Sequence, residues 1–326
     1  MRRKIYNKLL EWKSNDENKK PLMVLGVRQC GKTYVIKDFC KNEFENVCVI
    51  NLLERDDIIE LFSRSINSEE KYNILKTMLN YDIEDENTVL FIDEIQESED
   101  LISQLKFFCE NHNNVNIICA GSLLGVKLKR LKKSFPVGKV WMPEAIQNIV
   151  DATLDYVKYD TKILKNILAS YYKDMRKHVK NEAEALKIER VYRTLPSQLM
   201  NASKKFQLSI IDVDARNREY ETAIDWLMGS NMIIKCECVS LPEIPLKGFV
   251  DNETFKFYLS DVGILCTILG LSVRDIVTDN ISLYKGIIAE NFVANQLLCN
   301  GFDLFYWKNT ATAEVDFLLY TADGVI

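Results

Sequence analysis

Four apolar residues, Leu22-Met23-Val24-Leu25, end at Gly26-Val27-Arg28-Gln29-Cys30-Gly31-Lys32-Thr33, and helical periodicity begins directly behind them. No other feature limits the fold of this chain so sharply. A G-x-x-x-x-G-K-T loop between a buried strand and a helix predicts backbone N–H groups turned inward around phosphate oxygens, at the positive end of the helix. Lys32 is placed to reach β- and γ-phosphates, and the Thr33 hydroxyl to ligate Mg²⁺. Gly26, Val27, Arg28, Gln29, Cys30, Gly31, Lys32 and Thr33 are therefore the candidate nucleotide-contacting residues. Arg28 and Cys30 occupy positions that the motif leaves free. Arg28 reads as a surface residue or as added charge near the nucleotide, and Cys30 as a tolerated thiol or a redox-responsive one.

Beyond the loop, strand and helix continue to alternate. Strands are expected at Val47–Ile50, Val89–Ile92 and Val115–Ala120, with helices at Thr33–Asn42, Asp56–Asn80 and Asp100–Glu110. Short apolar strands alternating with helices predict an α/β fold, a parallel sheet covered on both faces. The third strand ends in Asp93-Glu94, where Asp93 is placed to hold Mg²⁺ and Glu94 to polarise an attacking water. The separation of Lys32 from Asp93 leaves room for the Val47–Ile50 strand and its helix. That fits the additional-strand class of P-loop ATPases, in which another strand lies between the loop strand and the acidic strand. Ser122, just past the fourth strand, is a candidate γ-phosphate sensor; a plain Gly-Ser turn is the competing reading.

Composition removes whole classes of function. The chain has 326 residues, 42 Lys+Arg against 47 Asp+Glu and a net charge of −5. That balance argues against a dedicated nucleic-acid coat protein while leaving room for a local basic groove. Nine cysteines, two histidines and no C-x-x-C pair exclude a His-rich metal site and a zinc ribbon. Cys236 and Cys238, alternating on a strand, read as packing. No apolar run approaches the ~18 residues of a membrane span, and the basic start lacks a signal-peptide core. A cytoplasmic protein with reduced thiols and no membrane partner is the expectation.

Beyond Gly138 the alternation stops. Ala145 to about Lys177 reads as helical. Glu189–Val239 reads as helix, Leu195-Pro196-Ser197-Gln198-Leu199, a second helix, a polar segment Asp212–Arg218, a longer helix through Trp226 and a strand, a winged-helix pattern. The tail from Lys256 reads as α+β. Lys127, Lys129, Arg130, Lys132 and Lys133, and in the winged-helix segment Lys204, Lys205, Arg216 and Arg218, could track nucleic-acid phosphates or form solvated faces. Asp212, Asp214, Glu219 and Glu221 dilute the second group, which would serve DNA or protein docking equally.

These residues resemble a family of bacterial and archaeal AAA+-like ATP-binding proteins with a C-terminal domain of unknown function. The resemblance is carried by Pro21–Thr33, Phe91-Ile92-Asp93-Glu94-Ile95-Gln96-Glu97, Ala120–Gly125, Phe135–Val140, Leu195–Leu199, Ala215–Glu221, Lys285–Val293 and Ala313–Phe317, and it covers nearly the whole chain. It implies an AAA+-like domain over 1–142, a helical region over 143–188, a winged helix over 189–245 and a restriction-endonuclease-like α+β domain over 246–326. It also implies ATP rather than GTP, in keeping with the lack of an N-K-x-D motif. Two departures stand out. Val140 runs straight into Trp141-Met142-Pro143-Glu144-Ala145, where the family usually carries several tens of residues more. The chain also stops at Ile326, where the nuclease Glu-x-Lys strand should begin. Glu290 and Asp316 are thus expected to form a weak, degenerate metal site.

The leading expectation is Mg-dependent ATP binding and hydrolysis driving a conformational switch, with catalytic roles for Lys32, Glu94 and Ser122, and with DNA, a protein partner or an oligomer as possible associates. A nucleotide-gated DNA- or protein-binding module with negligible turnover is the alternative. A metal-dependent nuclease comes last.

Overall fold

The computed structural model describes residues 4–15, 19–27, 30–122, 139–140, 161–177, 179, 181–201, 204–213, 216–272, 275, 282–309, 313–321 and 324–326. The chain divides into two compact units, Met1–Ile146 and Gln147–Ile326.

The first unit runs α1 (Lys4–Lys13), β1 (Leu22–Val24), α2 (Lys32–Glu43), β2 (Asn46–Asn51), α3 (Asp56–Ser63), α4 (Ser68–Met78), β3 (Thr88–Asp93), a 3-10 turn (Ile95–Glu97), α5 (Glu99–Asn111) and β4 (Asn116–Ala120). The four strands form one parallel sheet in the order β1-β4-β3-β2. β4 is therefore the strand between the loop strand and the acidic strand, while the Val47–Ile50 strand lies at the edge beyond β3. Its burial alternates accordingly, with Val49 exposed, whereas Val89, Leu90, Phe91 and Ile92 of β3 are all buried. Each of those four contributes about 1.5–3 kcal/mol by leaving water.

Alternate strand residues Leu90, Ile92, Ile117 and Cys119 share a core with Leu61 and Phe62 of α3, Tyr72 and Leu75 of α4, and Leu101 and Leu105 of α5. α1 packs on α2, with Tyr6 edge-on to Phe39 at 5.4 Å. The helical pattern over 56–80 resolves into two helices. Asn67 begins the second by accepting from Glu70 N at 2.7 Å, an N-cap that starts a new helix instead of prolonging the old one.

The second unit contains α6 (Thr161–Lys177), α7 (Glu182–Leu199), α8 (Asn217–Gly229), β5 (Ile233–Val239), β6 (Val250–Leu259), α9 (Val262–Ile268), α10 (Ser282–Cys299), β7 (Phe305–Lys308) and β8 (Glu314–Leu318). A two-strand ladder, β9 (Tyr320–Thr321) with β10 (Gly324–Val325), ends it. Leu195–Leu199 is the last turn of α7 and not a loop between helices, with Pro196 inside the helix. In place of the second helix expected behind it stands only a 3-10 turn, Leu208–Ile210, because the preceding segment is bound to the sheet. Phe206 N donates to Phe255 O at 2.9 Å, and the two rings stack.

The hairpin β5–β6 belongs to a four-stranded sheet, β6-β5-β7-β8, in which β5 also pairs in parallel with β7. That sheet crosses the expected boundary at 245/246, so the hairpin and the C-terminal strands share one fold. Asn291 of α10 fastens β6 at both backbone groups, Leu259 N to Oδ1 and Nδ2 to Leu259 O, each 2.8 Å.

Asp261 caps α9 through Oδ1, which accepts from Ile264 N at 2.7 Å, while its buried Oδ2 has no partner among the described residues. Burial pushes this carboxyl up to about 6, against the pull of the Ile264 and Gly263 amides. A raised carboxyl binds its proton more tightly in the folded state, so its contribution is greatest below its unfolded value of about 3.9 and falls as pH rises through 6. Asp261→Asn keeps the cap acceptor and cannot ionise. Urea unfolding at pH 4 and pH 7 should show the wild type losing about 2 kcal/mol relative to Asp261→Asn across that interval.

Candidate functional site

The register sets the site. Val24 lies opposite Ala120, and Cys119 opposite Ile92, so the carboxyl ends of β1, β4 and β3 stand side by side. In open α/β sheets ligands bind outside these ends, where strand order switches. The loop after β1, the acids closing β3 and Ser122 after β4 are thereby gathered in one place, with the β4 end in the middle.

On the loop side, Gly31 adopts the left-handed conformation (φ 78°) immediately before α2 and makes no side-chain cap. A side chain there would be strained, and the free N–H groups of the first turn of α2 face outward from the helix end. Lys32 is buried. Its Nζ donates to Gly26 O at 2.9 Å and Val27 O at 2.7 Å and lies 3.8 Å from Cys30 Sγ. The ammonium is thus folded onto the loop's own carbonyls. Arg28 and Gln29 lie outside the described residues.

On the acidic side, Asp93 and Thr33 are joined by a side-chain hydrogen bond. Burial pushes the Asp93 carboxyl above the usual range, and Glu94 adds to this; the Thr33 hydroxyl, the Glu94 amide and Lys37 pull it down without restoring it. A hydroxyl and a half-buried carboxylate that lacks full compensation form the oxygen donor set a hard divalent cation takes, so the residues present fit Mg²⁺.

Glu94 sits in the left-handed region (φ 56°, ψ 42°), unusual for a non-glycine residue. Its Oε2 accepts from Ser122 Oγ at 3.1 Å and also from Gln96 Nε2. Ser122, the candidate γ-phosphate sensor, is thus bonded to the acid. The sequence gives Gln96 no role of its own; its signals are its place two residues beyond Glu94 and within the Phe91–Glu97 motif.

In the second unit Glu290 and Asp316 do come together, but around lysines. Lys256, fully buried on β6, places Nζ 3.3 Å from Glu290, 2.6 Å from Glu314 and 3.2 Å from Asp316. Lys204 pairs with Glu290 and lies 3.6 Å from Asp316. Tyr258 OH donates to Glu290 at 2.6 Å. The Lys256 ammonium lies over the Tyr306 ring, 4.6 Å from its centroid. Burial resists charging Lys256, yet the Glu314 hydrogen bond and the three carboxylates outweigh it and raise the ammonium above its usual range. Burial likewise resists charging Asp316, and Lys256 with Lys204 reverses the balance and lowers it. Two ammonium groups thus stand between the carboxylates that were expected to share a metal, and no cluster of three metal-ligating side chains occurs among the described residues. Lys256, Glu314 and Tyr258 are not legible as a group in the sequence because only folding brings β6 to β8.

Of the basic residues, Lys204 and Lys205 are engaged within the fold, the latter donating to Thr254 Oγ1 at 3.0 Å. Arg216 and Arg218 are exposed. Lys127, Lys129, Arg130, Lys132 and Lys133 lie outside the described residues. Among the described residues no helix is long and apolar enough to cross a membrane.

Three family models match the chain. Residues 18–144 match one described as an AAA domain, 141–275 a domain of unknown function (DUF8612), and 285–326 another (DUF4143). No curated protein matches. Among solved structures, a Walker-type ATPase of Pyrococcus abyssi, PABY2304, is 15% identical at TM-score 0.48, covering 83% of this chain and 96% of that one. The Orc1 protein of Aeropyrum pernix in complex with DNA is 14% identical at TM-score 0.31, covering 85% and 93%. The RuvB Holliday junction branch migration motor of Thermotoga maritima is 15% identical at TM-score 0.26, covering 100% and 92%. With TM-scores below 0.5, these three likenesses carry no argument about function. Residues 18–144 are similar to AAA domains and contain the four-stranded parallel sheet.

Removing Lys256 tests the second cluster. Lys256→Met leaves the buried Glu290 short of a counter-charge and should cost about 3–5 kcal/mol of stability, read as a lower urea midpoint. Adding Glu290→Gln should recover part of it.

Proposed function

We propose that this chain binds Mg–ATP at the ends of β1, β4 and β3 and hydrolyses it, the cycle serving as a conformational switch. One observation carries the reading: the register of a single parallel sheet gathers Lys32, Thr33, Asp93, Glu94 and Ser122 at adjacent strand ends. The match of residues 18–144 to an AAA domain supports it.

In this reading the residues divide the work. Gly31 and the first amides of α2 receive β-phosphate oxygens. Lys32 exchanges the Gly26 and Val27 carbonyls for phosphate oxygens, a neutral acceptor for a charged one, which strengthens each bond. Thr33 and Asp93 hold Mg²⁺, which when bound neutralises charge on the β- and γ-phosphates. Glu94 takes the proton from the attacking water. Ser122 has one hydroxyl proton, so an arriving γ-phosphate competes for it with Glu94, which links nucleotide state to the freedom of the acid. A role for DNA is a weaker part of the proposal, since Lys204 and Lys205 are bound within the fold.

Lys32→Ala should weaken nucleotide binding by roughly 10- to 100-fold, the worth of one or two hydrogen bonds to a charged group, measured by titration of a fluorescent ATP analogue. Glu94→Gln should bind as the wild type does and lose about 10²-fold or more in turnover; wild-type turnover by this variant would overthrow the assignment of the base. Turnover with and without duplex DNA separates the proposals about partners: a rise assigns DNA as an effector, and a flat rate removes it.

A further inference from the structure

Gln96 occupies the 3-10 turn directly behind Glu94 and is only 5% exposed. Its Nε2 donates to Glu94 Oε2, the oxygen that also accepts from Ser122. An ionised carboxylate accepts and cannot donate, which orients the amide with Nε2 toward Glu94 and Oε1 away. Oε1 is then buried with no hydrogen-bond partner among the described residues. It rests in space that glycine at 121 leaves open: a Cβ there would stand 2.2 Å from it and force it to shift.

A buried acceptor without a donor is costly, and an apolar side chain of equal length would remove that cost. The same turn already bears the left-handed backbone of Glu94. Such local expense, concentrated on a residue whose amide donates to Glu94, points to a role in the site.

The two donors on Oε2 are unequal. Ser122 has a single proton for which a phosphate competes. Gln96 has two N–H groups, and its other neighbour, Glu97 Oε1, is 3.5 Å away. Gln96 is the donor that stays, and with Oε2 held, Oε1 is the oxygen left to accept a proton.

We propose that Gln96 is a positioning residue for hydrolysis, its amide holding Glu94 Oε2 so that Oε1 serves the attacking water, with Gly121 making room for that amide. The inference rests on the reading of Glu94 as the base.

The test measures nucleotide Kd, single-turnover hydrolysis and thermal unfolding for Gln96→Met and Gly121→Ala, each in the wild-type and Glu94→Gln backgrounds. Gln96→Met should keep Kd within about twofold, slow hydrolysis roughly tenfold and leave Tm equal or higher. Gly121→Ala, which pushes the amide aside without altering Gln96 or Glu94, should reproduce the slower rate. Neither change should slow the Glu94→Gln protein further. A wild-type rate in Gln96→Met, an equal fractional loss in both backgrounds, or a fall in Tm together with weaker nucleotide binding would overturn the proposal. Glu94→Gln alone reports on the base itself: wild-type hydrolysis by that variant removes the underlying reading, a result distinct from a silent Gln96.

Discussion

Parallel pairing of β4 between β1 and β3 is the constraint on which the first unit depends. It places the glycine-bounded loop, the paired acids and Ser122 at neighbouring strand ends, although they are far apart in sequence. The pairing is stiff because both faces of these strands are buried; slipping β4 by one residue would exchange the side chains facing the α3–α5 core for those facing away from it. Such a frame can bear local expense at its rim. The left-handed Glu94 and the unpaired Gln96 oxygen both lie just past β3, whose residues Val89 to Ile92 are fully packed.

The two units handle buried carboxylates in opposite ways. In the first, Asp93 is raised by burial and by Glu94, and its Thr33 hydroxyl and nearby Lys37 only partly compensate. That environment favours receiving a cation from outside. In the second, Lys256 and Lys204 supply the cations from within, and Asp316 is held below its usual range despite its burial. The same chemical group is left short of positive charge in one place and supplied with it in the other. Two carboxylates at plausible spacing therefore say little about metal binding until their neighbours are known.

Much of this was legible before folding. The strands around Leu22, Val47, Val89 and Asn116 announced themselves as short apolar runs, and the loop by its glycines and Lys32. Boundaries suffered where a polar residue overrode periodicity, as Asn67 does in splitting the 56–80 pattern. Leu195–Leu199 misled because a proline followed by polar residues reads as a turn, whereas packing keeps Pro196 within α7. The hairpin β5–β6 was visible as strands, but its merger with β7 was not, since parallel pairing joins segments with a long connection between them.

By itself the sequence determined the α/β class of the first unit and located the glycine-bounded loop and the acids at the end of β3, because glycine placement and apolar period are local properties. Tertiary structure decided which strand lies between β1 and β3, that Ser122 and Gln96 share one oxygen of Glu94, and that Lys256 stands among Glu290, Glu314 and Asp316. These are contacts between residues on different elements or across a tight turn. They depend on register and side-chain direction, which emerge only when the sheets have formed and buried their faces.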